Sequence, residues 1–444
     1  MNREWARKSV HIAMGGFAFL IPFLTWWQAS ALAAIALLHN LFVLPMYGGR
    51  KIFRGAAAER GHDIGIVLYP ASVLALTLLF ARHPPIVAAS WGLLAFGDGM
   101  ATIVGLALGR YSPRLPWNRD KSWAGWFGFV VFGGIAVLGL WRWTSGLPLD
   151  GELILKLLIV TGVVAVLESL PLGVDDNIVV PLAGGGLLLA ATSLDFGTLM
   201  AGEPLYATRL PWAFGVNLLL AVVAYRARLI DGAGAIHGTL LGVALWVFGG
   251  GVSFLMLLLF FVLANAATKL GYKTKLREGT AQEKGGRRGA PHAWANAGAG
   301  ALFALLLAGS PTAMQPLFLI AIVAAFATAT SDTLGSEIGQ AYGRRTFLIT
   351  SFKPVPRGTD GAVSLEGTLA GILGSLVLAL VAYAMHSVDA LGVAVVVVAA
   401  FVGTTVESYV GAVFERAKQI NNEAQNLLNT LVGGLVAIVL MRWL

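Results

Sequence analysis

The sequence predicts an all-α polytopic membrane protein, and three observations make that prediction. Hydrophobic residues are 57% of the 444 and charged residues only 12%, where a soluble domain carries about a quarter charged residues. The apolar residues fall into about fifteen segments, each close to the ~20 residues that span a bilayer core. Lysine and arginine collect in alternate loops, as the positive-inside rule requires. Mean hydropathy is +0.76. Such a chain cannot cover a water-facing surface, which excludes a soluble enzyme and a disordered chain. With no cysteine, disulfides, thiolate zinc sites, iron–sulfur clusters and thiol nucleophiles are excluded too. The net charge of +8 follows membrane topology and is not read as a nucleic-acid signal.

The segments run in order from the N-terminus. Met1–Lys8 is basic, but the apolar run that follows continues to Trp27 without a small-residue cleavage site, so 9–27 reads as a span rather than a signal peptide. A second span, 29–47, leads into the basic loop 48–63, and 64–81 and 85–108 return the chain to the basic loop 109–122. Next come 123–143, 153–172 and 178–194, with the glycine run 184–186 read as packing or a turn. Residues 195–209 form the expected junction between halves. Beyond it lie 210–227, 232–249 and 252–269, the last two divided by the glycine run 249–251. The charged loop 270–291 precedes 292–310 and 315–341, the loop 342–362 precedes 363–385, and 388–414 and 425–443 complete the set. With the N-terminus cytoplasmic, every lysine and arginine except Arg82, Arg142, Lys156, Arg209 and Arg442 falls on the cytoplasmic side. Trp26, Trp27, Trp117 and Trp443 read as interface anchors.

The chain also repeats itself. Residues 98–110 read DGMATIVGLALGR and 332–344 read DTLGSEIGQAYGR, so Asp98, Thr102, Gly105 and Gly109 correspond to Asp332, Ser336, Gly339 and Gly343. These offsets place a carboxylate, a hydroxyl and two glycines on one helix face. Downstream, Ser122 and Gly125 recur as Ser364 and Gly367, Glu168-Ser169 as Glu407-Ser408, and an amide follows each, Asn177 and then Asn421-Asn422. In the expected topology both aspartate helices run towards the cytoplasm, so the two halves are parallel repeats rather than inverted ones.

A carboxylate inside a membrane helix costs about 2.5–3.5 kcal/mol on insertion scales. One such group is as readily a helix–helix hydrogen bond as a functional group. Two matching sets beside basic loops point to phosphoryl handling. Hard Mg²⁺ takes carboxylate and phosphate oxygens, which Asp98 and Glu168, then Asp332 and Glu407, could supply. The loops bearing Asn118, Arg119, Lys121 and Ser122, and Lys353, Arg357, Thr359 and Asp360, each enter a helix N-terminus, where free N–H groups favour anions. Topology alone explains the cations in these loops but not Asn118, Ser122, Thr359 and Asp360. Neither loop is a Walker A sequence. His39, His62, His237 and His292 lack metal-ligand spacing. Arg7 and Lys8 read as topology, His11 as either an interfacial or a functional group, and 278–289 as either a solvated loop or a phosphate clamp.

These motifs carry a family resemblance. ARKSVHIAMGG (6–16), FGDGMATIVGLALGR (96–110), LPWNRDKSWAG (115–125) and ESLPLGVDDNIVVP (168–181) resemble the CTP-dependent polyprenol kinases, the group containing dolichol kinase and phytol kinase. The same residues look like the phosphatidate cytidylyltransferase pattern, which implies a shared CTP site. ATKLGYKTKLREGTAQEKGGRRGAPHAWANAG (267–298), ATATSDTLGSEIG (327–339), FKPVPRGTDGAVSLEGTLAG (352–371), VGTTVESYVGAVFE (402–415) and INNEAQN (420–426) resemble the membrane family that includes plant phytyl-phosphate kinase. The resemblances imply a fusion, with a polyprenol/phytol kinase-like domain over 1–200 and a phytyl-phosphate kinase-like domain over 205–444.

By resemblance, the chain is expected to phosphorylate an isoprenoid alcohol of the phytol or geranylgeraniol class to the monophosphate and then the diphosphate, with CTP as donor and Mg²⁺. Asp98, Glu168, Asp332 and Glu407 are the expected metal ligands, and with Lys121 the expected catalytic set. Gly97, Gly99, Asn118, Arg119, Ser122, Asp175, Asp176 and Asn177 are expected to hold nucleotide in the first half. Lys353, Arg357, Thr359, Asp360, Asn421 and Asn422 would do so in the second. The pattern departs at one place: Lys121 precedes Ser122, but Val363 precedes Ser364, so the second half must draw its cation from Lys353 or Arg357. Alternatives are nucleotidyl transfer from CTP to a lipid phosphate, and a prenyl-phosphate transporter or flippase. Expected partners are the alcohol, its monophosphate, a nucleoside triphosphate and the bilayer, in a cytoplasmic (inner) membrane with sites facing the cytoplasm.

Overall fold

The computed structural model describes residues 3–46, 64–116, 118–170, 175–279, 286–359, 361–414 and 422–444. The basic loop 48–63, Trp117, residues 171–174, residues 280–285, Asp360, the 415–420 segment with Arg416 and Lys418, and Asn421 lie outside the described residues. The chain divides into two compact units, Met1–Ser193 and Leu194–Leu444.

The first unit is helical throughout. It comprises α1 (Arg3–Met14) with a 3₁₀ extension Gly15–Phe23, α2 (Trp26–Leu38) with a π turn His39–Val43, and α3 (Ile64–Leu79). Then follow α4 (Pro84–Gly92), a π segment Leu93–Asp98, α5 (Gly99–Leu108), α6 (Trp123–Ser145), α7 (Gly151–Ser169) and α8 (Asp176–Ser193). Helix α6 packs on α4, α5 and α7, while α8 packs on α3, α4 and α7. Leu76, Leu93, Leu94, Phe129, Val137, Leu157, Val164 and Leu188 are fully buried among them. Lys8 and His11, three residues apart, lie on the buried face of α1.

The second unit contains α9 (Phe196–Ala201), α10 (Glu203–Arg226), α11 (Gly232–Lys269), α12 (Tyr272–Glu278), α13 (Ala290–Ala308) and α14 (Gln315–Tyr342). A ribbon of β1 (Thr346–Leu348) and β2 (Ala362–Ser364) follows, then α15 (Leu365–Ala384), α16 (Ala390–Phe414) and α17 (Asn422–Trp443). Helix α14 is the centre: α11, α13, α15, α16 and α17 all pack on it. Its Ala321, Ala324, Ala325, Ala327 and Ala329 are buried, and small residues of this kind let neighbouring helices approach closely where the hydrophobic effect cannot drive association. The outward faces carry large apolar side chains, such as Trp212, Phe214, Leu219 and Val223 on α10, as lipid solvation requires.

Ten helices among the described residues are long and apolar enough to cross a membrane. The polytopic helical fold therefore stands, but the expected count of about fifteen is not reached, and each shortfall has a local cause. The 9–27 segment is broken between α1 and its 3₁₀ extension, which holds Pro22. Helix α3 is only 16 residues long. Helix α7 carries Glu152, Lys156 and Glu168. In α13, His292 and Asn296 dilute the apolar sequence. The segments 232–249 and 252–269 are two helices that meet at a break at Gly250, whose φ of 77° only glycine adopts readily, and they enter the ten as one continuous element. The guanidinium of Arg209 donates at 3.0 Å to the Val247 carbonyl beside that break. The all-α expectation also misses the antiparallel ribbon, whose register pairs Thr346 with Ser364, Phe347 with Val363 and Leu348 with Ala362.

The residues of the repeated motifs make the same local contacts in each unit. Ser122 pairs in an isolated antiparallel bridge with Arg114, as Ser364 pairs with Thr346. Each serine then caps the following helix: Ser122 Oγ accepts from Gly125 N at 3.3 Å, and Ser364 Oγ accepts from Gly367 N at 3.1 Å. A Cβ on Gly125 would lie 2.9 Å from the Ala101 carbonyl, and one on Gly367 would lie 2.5 Å from the Gly335 carbonyl. These glycines let α5 meet α6, and α14 meet α15, nearly backbone to backbone.

Candidate functional site

In the first unit three carboxylates converge. Oxygens of Asp98, Glu168 and Asp176 all lie within 4.8 Å of one another. Asp98 ends the π segment between α4 and α5, a helix variant found frequently at functional sites. Glu168 is in the last turn of α7, and Asp176 opens α8. Two cations meet them. Lys8 Nζ is 2.5 Å from Asp98 Oδ2, with Lys8 5% and Asp98 3% exposed. Lys121 Nζ is 2.7 Å from Glu168 Oε1 and 3.2 Å from Asp176 Oδ2, and also donates to the Glu168 carbonyl. Burial alone would lower the Lys121 pKa, but the Glu168 and Asp176 carboxylates outweigh it and hold the ammonium above the ordinary lysine value.

His11 completes the wall. Its Nε2 lies 2.8 Å from the Leu94 carbonyl and 3.3 Å from Asp98 Oδ2. The carbonyl can only accept, so this nitrogen carries the proton. Tyr69 stacks edge-on against His11 at 4.7 Å and accepts from Trp91 Nε1 at 2.8 Å. Two ammonium groups face three carboxyl groups, a set of hard oxygen donors. That donor set fits a divalent cation such as Mg²⁺ and does not fit a soft metal.

The other first-half residues separate into two groups. Asn118 Nδ2 donates to the Ser169 carbonyl at 3.0 Å, tying the 109–122 loop to the end of α7 and so holding Lys121 near Glu168. Asp175 Oδ1 accepts from Asn177 N and Nδ2 at 2.9 and 2.6 Å, which leaves the neighbouring Asp176 to face Lys121. Asn177 Oδ1 is buried with no hydrogen-bond partner. Arg119 is exposed. Gly97 and Gly99 face packed side chains: a Cβ would lie 2.9 Å from the Phe129 ring and 2.5 Å from Ile12. Their position serves helix packing, and Ser122 is occupied as a helix cap.

In the second unit the Asp332 and Glu407 side chains face one another. Ser336 Oγ donates to Asp332 Oδ1 at 3.4 Å. The buried amide of Asn429 donates to Glu407 Oε2, and Asn426, with its amide nitrogen turned inward, donates to Oε1 at 3.1 Å. These two amides on α17, rather than Asn422, meet the glutamate; Asn422 is exposed.

The cations expected in this half are elsewhere. Lys353 is exposed. Arg357 donates through Nε to the Gly343 carbonyl at 2.6 Å and through Nη1 to Glu278 Oε1 at 3.2 Å. Thr359 Oγ1 donates to the Pro356 carbonyl of its own turn. The buried cation is Lys275, which pairs with Glu337 and donates to the Thr268 carbonyl at 2.8 Å, while Thr268 Oγ1 donates to Glu337 Oε1 at 3.1 Å.

The positive-inside pattern accounts for Lys8 and Lys275 as topology alone, it leaves His11 open between interface and function, and it singles out neither Asn426 nor Asn429. The signals available were the position of Lys8 and His11 on one face of α1, and the i, i+3 spacing of Asn426 and Asn429 within an otherwise apolar helix.

The chain is similar to known membrane proteins. The family described as integral membrane protein DUF92 matches residues 215–435. An uncharacterized membrane protein of Synechocystis is 40% identical over 233 residues, covering 51% of this chain and 90% of that protein. The chain belongs to this integral membrane family. The Arabidopsis thaliana protein VTE6, chloroplastic, is 37% identical over 58% of this chain and 80% of its own length. Phytol kinase 1, chloroplastic, from the same plant is 30% identical over 44% of this chain and 68% of its own length. No solved structure matches the chain.

Proposed function

We propose that the chain is an integral-membrane lipid kinase, taking an isoprenoid alcohol of the phytol or geranylgeraniol class to the monophosphate and then the diphosphate. The observation that carries this reading is the Asp98, Glu168 and Asp176 cluster held against Lys121. Similarity to proteins named phytol kinase supports the substrate class. The donor is a nucleoside triphosphate, CTP in this reading, and the residues 1–200 and 205–444 act in turn.

The alcohol oxygen attacks the γ-phosphorus, the bond to the β,γ-bridging oxygen breaks, and the nucleoside diphosphate leaves. The hydroxyl proton passes to Glu168 or Asp176, within reach of the same ammonium. Lys121 faces the charge that develops on the transferring group. Lys8 holds Asp98 ionised and in place. When bound, Mg²⁺ would supply charge neutralisation on the phosphate oxygens, held by Asp98, Glu168 and Asp176. In the second unit Asp332 and Glu407, steadied by Asn429, are the carboxylates for the second transfer. The sites face the cytoplasm of an inner membrane in this reading, with the prenyl chain in the bilayer.

The test uses purified protein in detergent with Mg²⁺, geranylgeraniol, and CTP labelled on the γ- or the α-phosphate. Label from the γ-position in both mono- and diphosphate is expected. Label from the α-position would make the protein a cytidylyltransferase, and no lipid label at all would sink the kinase reading.

A further inference from the structure

The second unit contains a cavity lined by none of the site residues described so far. It lies between α10, α11 and α13 and encloses about 130 Å³. Its walls are mostly apolar, with Leu257, Phe254 and Phe260 among them, and its few polar members include Arg288 and Asn296. An apolar pocket with a few placed polar groups is the usual character of a site for a partly apolar ligand.

Two observations say what fits. The first is an unmatched cation. Arg288 is pinned by its backbone, which donates to the Leu229 carbonyl at 3.0 Å and accepts from Asp231 N at 3.2 Å. Its guanidinium lies 5.5 Å from the Phe260 ring, and among the described residues it has no hydrogen-bonded anion. The nearby Glu337 is already paired with Lys275. Burial lowers the Arg288 pKa to about 10, Glu337 acting in the opposite sense, so the group stays charged at neutral pH. The second is an unmatched acceptor. Asn296 is 5% exposed and lines the cavity, its Nδ2 donates to the His292 carbonyl at 2.9 Å, and its Oδ1 has no partner.

We propose that this cavity holds a single-chain prenyl phosphate monoester, its chain among the apolar walls and its phosphate on Arg288. A phosphate monoanion offers both an anionic oxygen for the guanidinium and a P–O–H for Asn296, which an alcohol or a diester cannot do together. The inference rests on the reading that the second unit takes a lipid monophosphate.

Binding without nucleotide tests it, because no phosphoryl transfer is then involved. Full-length protein in detergent is titrated with geranylgeranyl monophosphate, geranylgeraniol, inorganic phosphate and a two-chain phosphatidic acid. The monophosphate is expected to bind tightest. Arg288→Gln should weaken it at least about tenfold, with Arg288→Lys recovering part of the loss. The alcohol should change less than about threefold in Arg288→Gln. Ala221→Trp, which fills the cavity, should weaken both. On the unaltered protein, a prenyl monophosphate ending in benzophenone should cross-link within 217–261 and 288–297. An Arg288→Gln protein that binds monophosphate normally, an equal grip on inorganic phosphate or phosphatidic acid, or cross-links only elsewhere would overturn the site. Transfer from CTP with no binding here would sink the cavity alone; binding here with no transfer would sink the kinase reading alone.

Discussion

Asp98→Asn keeps the side-chain volume and deletes the charge that Lys8 and His11 face. It is expected to lower alcohol phosphorylation by on the order of 10²–10³ or more, while geranylgeranyl monophosphate supplied from outside is still converted to diphosphate. Loss of both conversions would argue against two separate sites. A different buried pair offers a stability test. Glu337→Gln leaves the Lys275 ammonium, 1% exposed, without its counter-charge, which costs about 3–5 kcal/mol. The thermal midpoint in detergent should fall accordingly. Adding Lys275→Met should restore most of it, since replacing both partners of a buried pair is often near neutral; failure to recover would mean the pair does more than balance charge.

At the level of elements, Gly367 and Gly125 are points where one helix meets the backbone of the next. Gly367→Val would put side-chain atoms into the Gly335 carbonyl, 2.5 Å from where its Cβ must sit. The expected loss is roughly 1–3 kcal/mol, the usual cost of overpacking, read as a lower thermal midpoint. Gly139→Ala on α6, with no atom within 4 Å of the new Cβ, should leave the midpoint unchanged. The recurrence of Ser122-x2-Gly125 as Ser364-x2-Gly367 singled out both glycines in the sequence, because a three-residue spacing is a local property. The third carboxylate was half legible: Asp176 stood out in the VDDN run, but only the Asp175 cap on Asn177 shows which aspartate turns inward. Lys8 and Lys275 were hidden. A lysine in a basic flank looks the same to a charge count whether it meets water or, like these two, a carboxylate distant in the chain. The two-stranded ribbon was hidden for another reason, since three-residue strands inside a polar loop carry too short a pattern to separate from a turn.

For the molecule as a whole, the absence of cysteine gives a clean probe of orientation. Ser351 is exposed in the loop between β1 and β2. A lone cysteine placed there should resist a membrane-impermeant thiol reagent in intact cells and react after lysis, if that loop faces the cytoplasm. Reaction in intact cells would reverse the proposed topology. The apolar composition made the helical membrane fold plain from the start. The number of crossings was less plain, because the break at Gly250 and the charges on α7 look like ordinary spans to a hydropathy window.

The Lys8–Asp98 pair also has a history. Its partners are 90 residues apart, and at ribosomal speeds of ~5–20 residues per second the lysine precedes its aspartate by on the order of ten seconds. Until α4 and α5 enter the bilayer, the first helix holds a cation that cannot sink into lipid without a large cost. The arriving carboxylate offsets part of that cost for both groups at once. The nascent chain therefore cannot seat its first helix fully until the fourth and fifth are made, and the candidate site closes as a late step of insertion.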